Sequence, residues 1–185
     1  MINTFMHKKI PNIFTFISNF KKEEILEINN NVGIILRNFE EKLTINKILD
    51  LRRYCKSNNR KLYLANNVKL AINLNFDGVY ISAFNKNLNQ KKFSIRKNFL
   101  YLGSAHNLKE LKIKEKQGVE VIFLSPLFKT KNYKNGMGVI KFNNLSKKSK
   151  KKIIALGGIN KSNLKKIKIT NAYGFSGISY FKKNF

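Results

Sequence analysis

What most constrains this chain is a recurring alternation: short apolar runs, each followed by a polar or helix-like stretch. The runs are NIFTFI (Asn12 to Ile17), VGIIL (Val32 to Leu36), KLYLA (Lys61 to Ala65) and GVYIS (Gly78 to Ser82). FLYLG (Phe99 to Gly103), VEVIFL (Val119 to Leu124), KIIAL (Lys152 to Leu156) and GFSGIS (Gly174 to Ser179) complete them. Several are almost continuously apolar, as strands buried on both faces are. The stretches between them carry helical signals. Thr44 is a capping candidate, followed by Ile45, Ile48, Leu49 and Cys55 on one side at helical spacing. NLKELKIKEKQG pairs Leu108 with Leu111 and stops at Gly118, and NKSNLKKIKI pairs Leu164 with Ile167. Ser82 to Phe99, rich in Asn and Lys, reads as loop.

Strands alternating with helices imply parallel βαβ units. Eight such strands predict an α/β fold, a compact (β/α)8 TIM barrel, as a single domain over residues 1–185. The chain falls below the ~200 residues at the low end for that fold, so its helices and loops must be short. The rival, an open doubly wound sheet, advertises a Gly-rich turn after its first strand. Here the first strand runs into SNFKKEE.

The formal net charge is +27, from 37 Lys and Arg against 10 Asp and Glu. That invites a nucleic-acid reading. The basic residues are spread along the chain, however, with one dense cluster, KKSKKK, and no helix-turn-helix, zinc or RNP signature accompanies them. Biased composition is the reading adopted, and a basic surface still helps collect phosphorylated substrates. A single cysteine, Cys55, excludes an internal disulfide, and no apolar run approaches the ~18 residues of a membrane span. The expectation is a cytoplasmic protein with no membrane partner.

In a barrel the chemistry sits at the C-terminal ends of the strands. That selects Arg37, Asn66, Ser104, His106, the loop SPLFKT (Ser125 to Thr130), Gly157, Gly158 and Ser179. Phosphate is often held by the loops after the seventh and eighth strands. GGIN comes directly after the seventh, and its glycines serve either a tight turn or the approach of an anion to bare backbone N–H groups.

These motifs, in this order, resemble the thiamine phosphate synthase/TenI family. The segments that carry the resemblance are VEVIFLSPLFKTKNYKNGMG, IIALGGIN and YGFSGIS, with LYLANNVKLAINLNFDGVYIS upstream. The resemblance implies a small TIM barrel in thiamine biosynthesis. Synthases of the family join a pyrimidine pyrophosphate to a thiazole phosphate with Mg²⁺ and release pyrophosphate. TenI-like members isomerise the thiazole phosphate with a histidine and no metal. Carried over, Thr130, Lys131, Asn132, Gly157, Gly158, Ile178 and Ser179 fall on the thiazole phosphate side. Arg37 and Ser104 fall on the pyrimidine or pyrophosphate side. The magnesium aspartates fall at Asn66 and near Asn85, neither acidic, so no protein metal ligand is expected and Mg²⁺ would arrive only with a pyrophosphate substrate. His106 matches the region of the TenI histidine and is the catalytic candidate, the alternative being a residue that caps the next helix. Tyr80, where the family has a histidine, and Cys55 read as packing. Asn66 and Asn67 read equally as a helix cap. Three readings result: a thiamine phosphate synthase, a TenI-like isomerase or non-catalytic thiazole phosphate binder, and a basic nucleic-acid-binding protein.

Overall fold

The computed structural model describes residues 10–37, 43–89, 93–178 and 180–181. All eight apolar runs are strands: β1 Ile13–Ile17, β2 Gly33–Leu36, β3 Leu62–Ala65, β4 Gly78–Ile81, β5 Leu100–Ala105, β6 Val121–Leu124, β7 Lys152–Leu156 and β8 Gly174–Ser176. Each pairs in parallel with the next, and β8 returns to β1, so the sheet closes into a barrel in sequence order. The helices between them are α1 Lys22–Leu26, α2 Ile45–Ser57, α3 Val68–Asn73, α4 Leu108–Lys116, α5 Gly138–Ser146 and α6 Leu164–Ile167. No helix among the described residues is long and apolar enough to cross a membrane.

Strand alternation sorts the side chains into two layers. One fills the barrel interior: Phe14 and Phe16 from β1, Ile35, Tyr63, Tyr80, Leu102, Phe123 and Ile154. Phe123 is the hub, with ring centroids 5.0 Å from Phe14, 5.4 Å from Tyr80 and 6.1 Å from Phe16, all edge-on. Such pairings are the geometry that aromatic quadrupoles favour. The second layer lies between strands and helices and includes Ile34, Leu36, Leu51, Cys55, Val79, Leu111 and Phe142.

Economy of length shows in the helices. α1 has 5 residues, α3 has 6 and α6 has 4. Asn67 caps α3 by accepting from the Leu70 N–H at 2.9 Å, so the capping reading of that position holds. On α2 the buried residues are Ile48, Leu51 and Cys55, whereas Ile45 is half exposed. The eighth strand ends at Ser176, three residues short of the sequence boundary, so Ile178 lies beyond the sheet. Ser179 lies outside the described residues.

Candidate active site

β5 ends at Ala105, and His106 occupies the turn into α4. Asn107 caps α4 through a 2.9 Å bond from the Glu110 N–H, and the Glu110 carboxylate reaches back to the His106 N–H at 2.7 Å. The helix start therefore holds the His106 backbone. The ring is held separately: Nδ1 lies 2.8 Å from the Ser125 carbonyl oxygen. A carbonyl only accepts, so Nδ1 carries the proton and Nε2 is left as the acceptor nitrogen of the neutral ring. The Tyr133 ring stacks on the imidazole, centroids 5.9 Å apart.

Ser125 and Tyr133 belong to the loop after β6, which also carries Thr130, Lys131 and Asn132. Its tip is a tight turn: Thr130 and Tyr133 exchange backbone bonds, and the Thr130 Oγ1 accepts from the Tyr133 N–H at 3.1 Å. Lys131 and Asn132 stand exposed at that tip. The base of the same loop runs along β7. Leu127 N–H donates to Leu156 and Phe128 N–H to Gly157, at 2.8 and 3.0 Å. Gly157 and Gly158 both have left-handed backbones, φ 97° and 69°. A Cβ on Gly158 would land on the Lys129 carbonyl oxygen, and one on Gly157 would come within 2.7 Å of Pro126. On this side the turn is met closely by the loop after β6. The turn continues into a capping box, in which Asn160 and Asn163 hold each other's backbone and Asn163 Nδ2 donates to the Gly158 carbonyl at 2.8 Å. The chain then makes a single 3₁₀ turn, Lys161–Asn163, and the four residues of α6, too short to build much of a helix dipole.

His106, the Thr130 loop and the Gly157–Gly158 turn therefore form one contiguous arc of the mouth, from β5 to β7. Arg37 and Ser104 meet through the barrel interior. The Arg37 guanidinium lies 4.5 Å over the Phe16 ring, which packs edge-on against Tyr80 at 5.1 Å. The Tyr80 hydroxyl is hydrogen-bonded to Ser104. Burial pushes the Tyr80 hydroxyl up from its ordinary pKa, opposed by that bond and by Arg37. Tyr80 is packing, as read, but it also carries this polar link.

The β3–β5 arc has another character. Asn66 has a left-handed backbone, φ 59°, and both ends of its amide bond Ser82: Oδ1 accepts from the Ser82 N–H and Nδ2 donates to the Ser82 Oγ, both at 2.9 Å. Asn85 Oδ1 accepts from the Asn87 N–H at 3.1 Å, closing a turn in its own loop. Magnesium prefers carboxylate oxygens, and here it meets neutral amides already committed to neighbouring groups. No group of three or more His, Cys, Asp or Glu among the described residues could hold a metal. Neither of these two positions offers the carboxylate that Mg²⁺ prefers.

Beneath this arc lies a residue that the sequence did not single out. Lys114, on α4, is fully buried. Its Nζ donates to the carbonyls of Ser82 and Asn85, each at 2.8 Å, and to Gln117 Oε1 at 2.9 Å. Burial lowers its pKa to about 8, and Glu110 opposes the shift. A hollow of about 490 Å³, lined by Lys147, Lys151, Lys152 and Tyr173, opens where β7 and β8 begin, the end of a barrel associated with stability rather than chemistry.

Comparison with known proteins agrees with this architecture. The Pyrococcus furiosus thiamine phosphate pyrophosphorylase superposes with a TM-score of 0.73 over 93% of this chain and 87% of that one, at 18% identity. The corresponding Bacteroides thetaiotaomicron protein gives 0.59 over 92% and 84%, at 21%. In sequence, the Aquifex aeolicus protein named "Putative thiamine-phosphate synthase 2" is 30% identical over 136 residues, 71% of this chain and 72% of that protein. The thiamine-phosphate synthase of Prochlorococcus marinus is also 30% identical, over 64% of this chain but only 35% of its own length. Residues 23–181 match the profile of the family described as thiamine monophosphate synthase, and with that extent of match the chain belongs to the thiamine monophosphate synthase family.

Proposed function

We propose that this protein joins a pyrimidine pyrophosphate to a thiazole phosphate, as a synthase of its family, without a magnesium ion held by its own carboxylates. The observation that carries the first half is the family match along residues 23–181. The second half rests on the amides of Asn66 and Asn85, both committed to neighbouring backbone or hydroxyl groups. The thiazole phosphate is assigned to Thr130, Lys131, Asn132, Gly157 and Gly158, with Ile178 and Ser179 as further candidates from the resemblance, and Lys131 supplies charge. Arg37 and Ser104 serve the pyrimidine and pyrophosphate side. Any Mg²⁺ comes with the pyrophosphate substrate rather than from a site on the protein. A single domain carries the whole arrangement.

One observation favours a second reading, metal-free isomerisation of the thiazole phosphate. His106 is oriented by Ser125 with Nε2 left to accept a proton. Carboxylates are scarce at the strand ends, so proton transfer there would depend on this imidazole.

Product analysis separates the two. Supplied with both substrates and Mg²⁺, the protein should form thiamine phosphate, and loss of that product in EDTA would report only the Mg²⁺ carried by the pyrophosphate substrate. Micromolar Mg²⁺ affinity of the substrate-free protein in calorimetry would overturn the claim that its own residues hold no metal. If only isomerised thiazole phosphate appears, the second reading replaces the first. In that case His106→Asn should lower turnover by ~10²-fold or more with ligand affinity preserved. No turnover of either kind, with thiazole phosphate still bound, would leave a non-catalytic binder.

A further inference from the structure

An ammonium ion taken out of water needs its donors met by well-placed oxygens. Lys114 meets that need with a cage of three, the carbonyls of Ser82 and Asn85 and the amide oxygen of Gln117, at 2.8 to 2.9 Å. The cage is itself braced. Gln117 Nε2 donates to the carbonyls of Asn85 and Asn87 at 2.9 and 2.8 Å, so one helical turn at the end of α4 grips the β4–β5 loop at three successive places. Ser82, one wall of the cage, is the residue that holds Asn66 at the end of β3. Gly103 on β5 makes room for the arrangement: a Cβ there would come within 3.0 Å of the Lys114 Cδ. A single cation thus ties together β3, β4, β5, α4 and the loop that leaves the mouth after β4.

We propose that Lys114 is a positioning residue: its buried ammonium shapes the β3–β5 arc of the mouth and gives it a fixed positive charge that favours a diphosphate. The proposal rests on the synthase reading of the mouth. All three donors are taken by protein oxygens, so Lys114 does not touch the ligand. It acts through the loop it holds and through its field, which burial leaves less screened than a surface charge. The oxygens that accept from the ammonium are uncharged, two backbone carbonyls and an amide, and the carboxylate that acts on it is Glu110, one turn back on α4.

The test is calorimetry in EDTA with two probes, inorganic pyrophosphate and thiazole phosphate, on the wild type, Lys114→Met and Gln117→Glu. Lys114→Met keeps the apolar stem and removes the charge. Gln117→Glu keeps an oxygen beside the ammonium and neutralises it while giving up the Nε2 bonds to Asn85 and Asn87, so it removes both the net charge and the brace and remains informative if Lys114→Met fails to fold. Both should weaken pyrophosphate binding about tenfold or more and change thiazole phosphate binding less than about twofold. A general structural role would move both ligands together. Unchanged pyrophosphate affinity, or equal loss of both ligands in a folded variant, overturns the proposal. So does a wild type that binds thiazole phosphate but not pyrophosphate, which leaves the thiazole phosphate site standing. A wild type that binds pyrophosphate but not thiazole phosphate does the reverse.

Discussion

Cys55 shows what burial does to a single reactive group. It sits on the core face of α2, fully enclosed, and burial pushes its thiol up to about 11, with the guanidinium groups of Arg60 and Arg52 opposing. The thiolate is the nucleophile, so both low access and a high pKa suppress reaction. Labelling by an aromatic disulfide at pH 8 should be about 10²-fold or more slower in the native protein than in denaturant. Fast native labelling would mean that α2 does not pack as described. The folded pKa lies above the ordinary 9.0, so between those values the folded state keeps a proton that the unfolded chain releases. The stability contributed by this group is complete below pH 9 and is lost as pH rises through about 11. The burial of Cys55 was legible in the sequence, because a cysteine in register with Ile48 falls on the apolar side of a helix. That of Lys114 was not. A lysine amid KELKIKEK reads as solvated by default, and its partners Ser82 and Asn85 lie about thirty positions away in the chain.

Among the elements, the turn after β7 carries the clearest consequence. Gly158 combines a left-handed backbone with direct contact between its Cα region and the loop after β6. Gly158→Ala should therefore cost about 1 to 3 kcal/mol of stability, read as a lower denaturant midpoint at unchanged slope. A variant as stable as the wild type would refute that packing. If thiazole phosphate affinity per folded molecule also falls, the turn serves the ligand as well as the loop. All eight strands were legible because runs such as VIFL and IIAL are too short and too β-branched for anything else. Helix α1 was not, since five residues give no full apolar period, and of α3 only the cap at Asn67 was. α5 was also missed, though it has nine residues; it starts on Gly138, a residue that reads as loop. The candidate site divides along the same line. Residues at strand ends, such as Ser104, His106 and Gly158, could be found by counting along the chain. Tyr133 and Gln117 could not, because only the folded loops bring them to their partners.

At the scale of the whole molecule, closure of the ring is uneven. β1 meets β2 through four residue pairs but meets β8 through two, Ile13 with Phe175 and Phe14 with Ser176. Amide exchange should accordingly be fastest along β8 and the facing side of β1, and slowest in β5 and β6, where four pairs join each strand to both neighbours. Equal protection all round the ring would show that the short strand is compensated elsewhere. When that junction parts, IFTFI is left with an unpaired row of backbone groups and no charged side chain of its own. A second molecule in the same condition could add to it, strand against strand. What keeps such encounters rare is the net charge of +27 on every copy, a repulsion that dissolved salt weakens. The lysine-rich composition then serves as the molecule's guard against clumping whenever its last strand slips.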